Sequence, residues 1–239
     1  MEFRKNNLLL QFEGFLRTPP LWKNTQLLEI PQYLTKMFSA PEELIKKIHI
    51  PDRLILGKRM EYFFALYLES FTNERILLKN QVISKNKVSI GEIDFIVENG
   101  ESGEVTHIEL IFKYYIYDPT IRNEIERWIG PNRKDTLVQK LERLRNHQFP
   151  LLSSRECRDL IGNKLKFPGD ILQKVCFKAS LFLPMNWTDT PPLINSECIG
   201  GFWISWESFK ETDFGNYNFF IPAKNNWPID PSNCTAWKS

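Results

Sequence analysis

The order of hydrophobic patterns along the chain predicts an α/β (α+β) fold, a central mixed sheet flanked by helices. Three observations carry that expectation. A strong helical pattern occupies 57–73, three strand patterns follow one another over 75–117, and a basic helical pattern is succeeded by one more strand over 135–184. At 239 residues the chain is long enough for one large domain with extensions. Residues 1–54 read as a helical N-terminal extension, 55–185 as the core, and 186–239 as strands and loops packed upon it.

The N-terminal part reads as short helices interrupted by prolines: "NNLLLQFEGFLR", "PQYLTKMFS" and "PEELIKKIHI". Pro41 followed by Glu42 and Glu43 is a helix start, because proline suits the first turn and acids favour the positive end of a helix. In "GKRMEYFFALYLESFTN", Met60, Phe63, Phe64, Tyr67, Leu68 and Phe71 recur at helical spacing. "RILLKNQVIS", "KVSIGEIDFIVE" and "EVTHIELIFKYYIY" read as strands. "IRNEIERWIGPNRKD" is partly helical and breaks at Gly130–Pro131. Asp135 is placed to cap "TLVQKLERLRNHQF", where Leu137, Leu141, Leu144 and Gln148 mark one face. "QKVCFKASLFLP" alternates Val175, Phe177, Ala179 and Leu181 with Lys174, Lys178 and Ser180. The C-terminal third is rich in aromatics and prolines and reads as short strands and loops.

Composition excludes several classes. A net charge of +2 gives no global basic field of the kind that announces nucleic-acid binding, although 133–147 is locally cationic. Cys157, Cys176, Cys198 and Cys234 are scattered without a CxxC pair, which argues against a zinc ribbon or a disulfide framework and for buried free thiols. The apolar run near the N-terminus is too short for a signal peptide, and no stretch approaches the roughly 20 apolar residues of a membrane span. A cytoplasmic protein with no membrane partner is the expectation. Glycine-rich phosphate loops, GxSxG and HExxH are absent from the sequence.

The chemistry concentrates in "GEIDFIVENGESGEVTHIELIFKYY". Alternation puts Ile93, Phe95 and Val97 on one face of the first strand, with Glu92, Asp94, Ile96 and Glu98 on the other. In the second strand Ile108, Leu110 and Phe112 oppose His107, Glu109, Ile111 and Lys113. Gly100 and Gly103 supply the turn. A hairpin closed by this turn sets Asp94 opposite Glu109, and a one-residue slip would place apolar residues on the acidic face. The two carboxylates then share a face with β-carbons roughly 4.5–8 Å apart. Such a pair is either part of a solvated face or is held together by a cation. Mg²⁺ suits it, since that ion takes oxygen ligands and commonly uses one or two carboxylates with waters. His107 and Glu92 are weaker candidates on the acidic face, His147 reads as a helix cap, and Trp128 as core.

An acid on one strand, a hairpin, then an acid and a lysine on the next strand resembles the PD-(D/E)XK, restriction-endonuclease-like nucleases. "FLRTPPLW", "GEIDF", "HIELIFKYYIYD" and "WIGPNRKDTLVQKLERLRNHQ" resemble more closely a bacterial family of domains of unknown function usually grouped with them. The resemblance implies a restriction-endonuclease-like mixed sheet, with Asp94, Glu109 and the Leu110 carbonyl as ligands of Mg²⁺ or Mn²⁺. Phosphodiester hydrolysis in DNA or RNA would follow, Lys113 stabilising charge and Glu61 or Lys140 assisting. The family pattern has lysine two residues after the acid. Here that position is Ile111, and Lys113 lies about 13 Å along an extended strand from Glu109 rather than about 7 Å. The rival expectation is a non-catalytic member that binds nucleic acid or a protein.

Overall fold

Helix α1 (Glu2–Arg17) and helix α2 (Leu56–Phe71) form where apolar residues recur at i, i+3 and i+4, and they meet through that stripe. Phe12 and Phe15 of α1 pack on Phe63 and Phe64 of α2, with ring centroids 5.5 to 6.5 Å apart. The computed structural model describes residues 2–23, 27–37, 41, 43–44, 50–51, 53–165 and 170–233.

Three long strands follow: β1 (Glu74–Lys85), β2 (Val88–Asn99) and β3 (Val105–Tyr117). Consecutive strands pair antiparallel, as short turns allow. At the β2–β3 turn Gly103 has φ 70°, a left-handed conformation that glycine adopts without steric cost. The Asn99 side chain accepts the N–H groups of Glu101 and Ser102 and closes the loop. The chain then passes through β4 (Trp128–Ile129), α3 (Leu137–Arg143), a π turn (Leu144–Gln148) and α4 (Arg155–Leu165). It returns as β5 (Ile171–Pro184), parallel to β3. Beyond β6 (Ile199–Trp203) comes the short α5 (Trp206–Lys210). The result is a six-stranded mixed sheet in the order β1-β2-β3-β5-β6, with β4 attached to β3.

Each sheet face has its own core. On one face α1 and α2 cover Phe95, Val97, Ile108, Phe112 and Cys176. On the other, Leu137, Leu141 and Leu144 of α3 and its π turn cover Ile111, Tyr115, Val175 and Phe177. Cys157 and Ile161 of α4 pack on Ile83, Ile93 and Ile96. The expected α+β fold with a helix-flanked mixed sheet is therefore the one observed. Cys157, Cys176 and Cys198 are buried free thiols as expected, and Cys234 lies outside the described residues.

Four local expectations are corrected. Residues 31–37, read as helical from "PQYLTKMFS", are extended, because β5 offers them an edge. Tyr33 N–H donates to the Val175 carbonyl at 2.8 Å, and the Val175 N–H returns to Pro31 at 2.9 Å. The cap of α3 is Thr136 rather than Asp135: its side chain accepts from Gln139 N–H while the Gln139 side chain returns to the Thr136 N–H. Lys178, read onto a polar face, is buried and donates to the carbonyls of Leu16 and Thr18 at 3.2 and 2.6 Å, closing the end of α1. Ile93 joins Ile96 rather than Phe95, because alternation breaks at Asp94. The helix read from "PEELIKKIHI" lies mostly outside the described residues.

Phe64 touches α1, the N-terminal segment and β2 together, its ring 5.0 Å from Phe95 and 5.6 Å from Tyr33. Phe64→Ala should cost about 3–5 kcal/mol in urea unfolding, since the cavity opens in a fully buried cluster. A loss under about 1 kcal/mol would show that α2 is not anchored there.

Candidate functional site

The site is built where the β2–β3 ladder ends. The pairs run Glu98–Val105, Val97–Thr106, Ile96–His107 and Phe95–Ile108, the register expected from the turn. The next residues in that register are Asp94 and Glu109, and there the ladder stops. Leu110 N–H donates instead to Asp94 Oδ2 at 3.0 Å, so a carboxylate fills the place of a backbone carbonyl. The cause is traceable to β1. Asn80, facing Asp94 across the other ladder, has φ 51° and no ladder partner, and the side-chain phase of both strands changes at this point.

Glu109 is fully buried and held from both sides. His107 Nε2 lies 2.8 Å from Glu109 Oε1. Gln173 Nε2 donates to the Phe149 carbonyl at 2.8 Å and lies 3.2 Å from His107 Nδ1. Because a carbonyl can only accept, the Gln173 amide must present its NH₂ group there. His107 Nδ1 is then an acceptor and its Nε2–H donates to Glu109. Gln148 Nε2 donates to Glu109 Oε2 while its Oε1 accepts from Lys140 Nζ at 2.9 Å. Lysine has no acceptor, which fixes that amide's orientation as well. The π turn carries Gln148, and π turns occur often at functional sites.

Of the sequence-predicted residues, Asp94, Glu109, Leu110 and Lys140 come together. Burial first, then the neighbouring Glu109, pushes the Asp94 carboxyl up to about 8, against the Leu110 N–H and Lys140. Burial lowers the Lys140 ammonium, opposed by Glu109 and Asp94. Glu61 is buried on α2 and accepts from Asn80 at 2.7 Å and Lys58 at 3.1 Å. Its carboxyl is raised by burial against those two donors, and its charge is felt at Asp94. Lys58 also reaches Glu92 at 2.8 Å. Lys113 stands apart, paired with Asp135 at 2.6 Å. His147 and Trp128 take no part: the first is exposed and the second is in the core.

Sequence reading missed Gln173 and the role of Asn80. Neither has a local signal, since one is placed by the β5 pairing and the other by its backbone conformation. Among the described residues no group of three His, Cys, Asp or Glu side chains is arranged to hold a metal. The donor set at the opened ladder is two carboxylates with a backbone carbonyl. Those are hard oxygen donors, Asp94 being raised by burial first and then by the neighbouring Glu109 charge, and they fit a divalent cation that keeps waters of its own.

Fold and site together define an α+β domain with a carboxylate pair at a split in its mixed sheet. The chain belongs to the family described as Domain of unknown function (DUF1853), whose family model matches residues 9–237. No curated protein and no solved structure matches the chain.

The raised Asp94 sets a pH dependence. In the folded, metal-free protein it titrates near 8, and in the unfolded chain near its ordinary 3.8. A raised acid contributes stability fully below the unfolded value and loses it as pH rises through the folded one. In chelator, wild type should therefore lose stability between about pH 4 and 8 relative to Asp94→Asn, which mimics the protonated acid. Melting temperatures that track each other from pH 4 to 9 would contradict this.

Proposed function

We propose that the protein is a divalent-metal-dependent nuclease of the restriction-endonuclease-like kind, hydrolysing phosphodiester bonds in DNA or RNA. The observation that carries this reading is the convergence of Asp94 and Glu109 where β2 and β3 part, with the Leu110 carbonyl on the same strand. Order supports it too: a helix bearing Glu61, three antiparallel strands, a basic helix, then a strand parallel to the third.

Asp94, Glu109 and the Leu110 carbonyl would hold Mg²⁺ or Mn²⁺. When bound, such an ion lowers the pKa of a coordinated water and screens charge on a phosphoryl oxygen. The protein's own groups do the rest. His107 and Gln148 hold the Glu109 carboxylate in one orientation, as partners of ligands do. Lys140, fixed by Gln148, supplies positive charge beside both acids, in the role the family pattern gives to the residue standing here as Ile111. Glu61, tied to Lys58 and Asn80, adds negative charge near Asp94. Its donors leave it available as an outer ligand through water.

A second reading, a nucleic-acid-binding domain without catalysis, is favoured by one observation. Ile111 is buried against α3, and Lys113 is engaged by Asp135. A cleavage assay separates the two. Purified protein with Mg²⁺ or Mn²⁺ is expected to cut at least one of single strands, duplexes, branched DNA or RNA. Asp94→Asn and Glu109→Gln should each lower the rate by about 10² or more, and Lys140→Ala by about 10². Absence of cleavage on all four substrates, or equal rates in wild type and the double carboxylate variant, would leave the non-catalytic reading.

A further inference from the structure

β6 ends the sheet, paired with β5 on one side and with no strand on the other among the described residues. Edge strands of proteins that stay apart are blunted by charge, proline or irregular backbone. β1, at the opposite end of the sheet, carries Arg75, Lys79 and Lys85 and the left-handed Asn80. β6 reads "IGGFW" and has neither a charged residue nor a proline. Trp203 turns inward and donates to the Tyr117 carbonyl at 3.0 Å, so strand alternation leaves Phe202 facing outward. Gly200, two residues before it, is exposed, and a β-carbon there would meet only Ser180 at 3.9 Å. The sheet face beside Phe202 is therefore open.

The chain after β6 adds aromatic surface to that face. Phe202 stacks on Phe214 at 6.4 Å, and Phe214 lies 5.9 Å from Phe209 and 6.4 Å from Tyr217. Phe209 in turn contacts Trp206 and Phe219, each at 5.5 Å. Local caps hold these rings in place. The Ser205 side chain accepts from Ser208 N–H at the start of α5, and Thr212 accepts from Phe214 N–H at the turn Asp213–Asn216. The six rings form one connected cluster, yet Phe202, Trp206, Tyr217 and Phe219 are 54, 65, 66 and 61% exposed.

Area and charge decide what covers them. With about 150–250 Å² for a whole aromatic side chain, these four present about 500 Å² of apolar surface. Contiguous patches of that size mark interaction sites. Two such patches face to face bury about 1,000 Å², the size at which specific interfaces begin, before the β6 edges contribute. Over 199–224 the acids Glu207, Glu211 and Asp213 stand against Lys210 and Lys224. Lys210 Nζ already sits 5.4 Å from the Trp206 ring. Single-stranded nucleic acid needs a positively charged groove beside its stacking rings, which this rim does not supply. A nearly balanced, apolar surface matches its own copy.

We propose that this face is a homodimer interface, in which a second copy of the chain seats its aromatic cluster on the first across a two-fold axis. With the axis normal to the strand, the two β6 edges run antiparallel and continue the sheet through both copies. A two-fold contact is closed, so it satisfies the bare edge and the apolar patch together without open-ended growth. The interface is independent of the carboxylate pair and of any metal bound there.

The test is sedimentation of the metal-free protein over about a hundredfold range of concentration, with hydrogen exchange at each end. Wild type should pass from one chain mass to twice that mass, and amide exchange in Ile199–Trp203 should slow at least tenfold as the dimer forms. Trp206→Ala and Phe219→Glu change exposed side chains, so the monomer keeps its fold, checked by circular dichroism at low concentration. Each should raise the dimer dissociation constant at least tenfold, because aromatic anchors dominate such contacts. Val82→Ala, exposed on the opposite edge, should dimerise like wild type. A single chain mass at every concentration, association beyond two copies, or both aromatic variants dimerising like wild type overturns the proposal. Exchange in 199–203 that ignores concentration overturns it as well. So does a monomer that binds a labelled single strand and loses it in Trp206→Ala, which would give the rings to nucleic acid.

Discussion

One interaction organises the polar cluster at the split in the sheet: the Asp94 carboxylate accepting the Leu110 N–H where a ladder carbonyl would otherwise stand. It stands where the β2–β3 pairing ends, two carboxylates come together, and the β2-facing edge of β3 loses its ladder partner. Holding two acids side by side is unfavourable without compensation, and burial sharpens the penalty. The fold meets part of it with neutral donors. His107 and Gln148 bond Glu109, and Lys140 is kept one amide away from it. The arrangement leaves negative charge that a divalent cation would complete.

The scaffold around the split is apolar and continuous. Phe95 and Ile108, the last ladder pair before the opening, both belong to the core that α1 and α2 cover. Leu137, Leu141 and Leu144 anchor α3 on the opposite face and carry Lys140 and Gln148 to Glu109. Buried Lys178 bonds carbonyls at the end of α1 and ties that helix to β5. The polar site therefore rests on well-packed elements from both faces.

Much of this was legible in the sequence. Alternation and turn chemistry place Asp94 and Glu109 in register, because a one-residue slip would set apolar residues on the acidic face, and helical spacing marks α2 and α3 correctly. What was not legible depends on contacts distant in sequence. The extended backbone at 31–37 is captured by the edge of β5, and Gln173 reaches His107 only through the β5 pairing. Burial of Lys178 depends on α1 arriving above it. The reversal of phase at Ile93 follows from Asn80, whose left-handed backbone has no signature in strand periodicity. Lys113 could be seen as out of place from its spacing, but its partner Asp135 belongs to a loop fixed only in three dimensions.

The central claim is that Asp94 and Glu109 form a metal site, and its most direct test is anomalous diffraction from crystals soaked in Mn²⁺. The account predicts one peak bonded by both carboxylates and the Leu110 carbonyl, lost in Asp94→Asn crystals. Diffraction showing no Mn²⁺ between them, with Asp94 still bonded only to the Leu110 N–H at saturating metal, would contradict it.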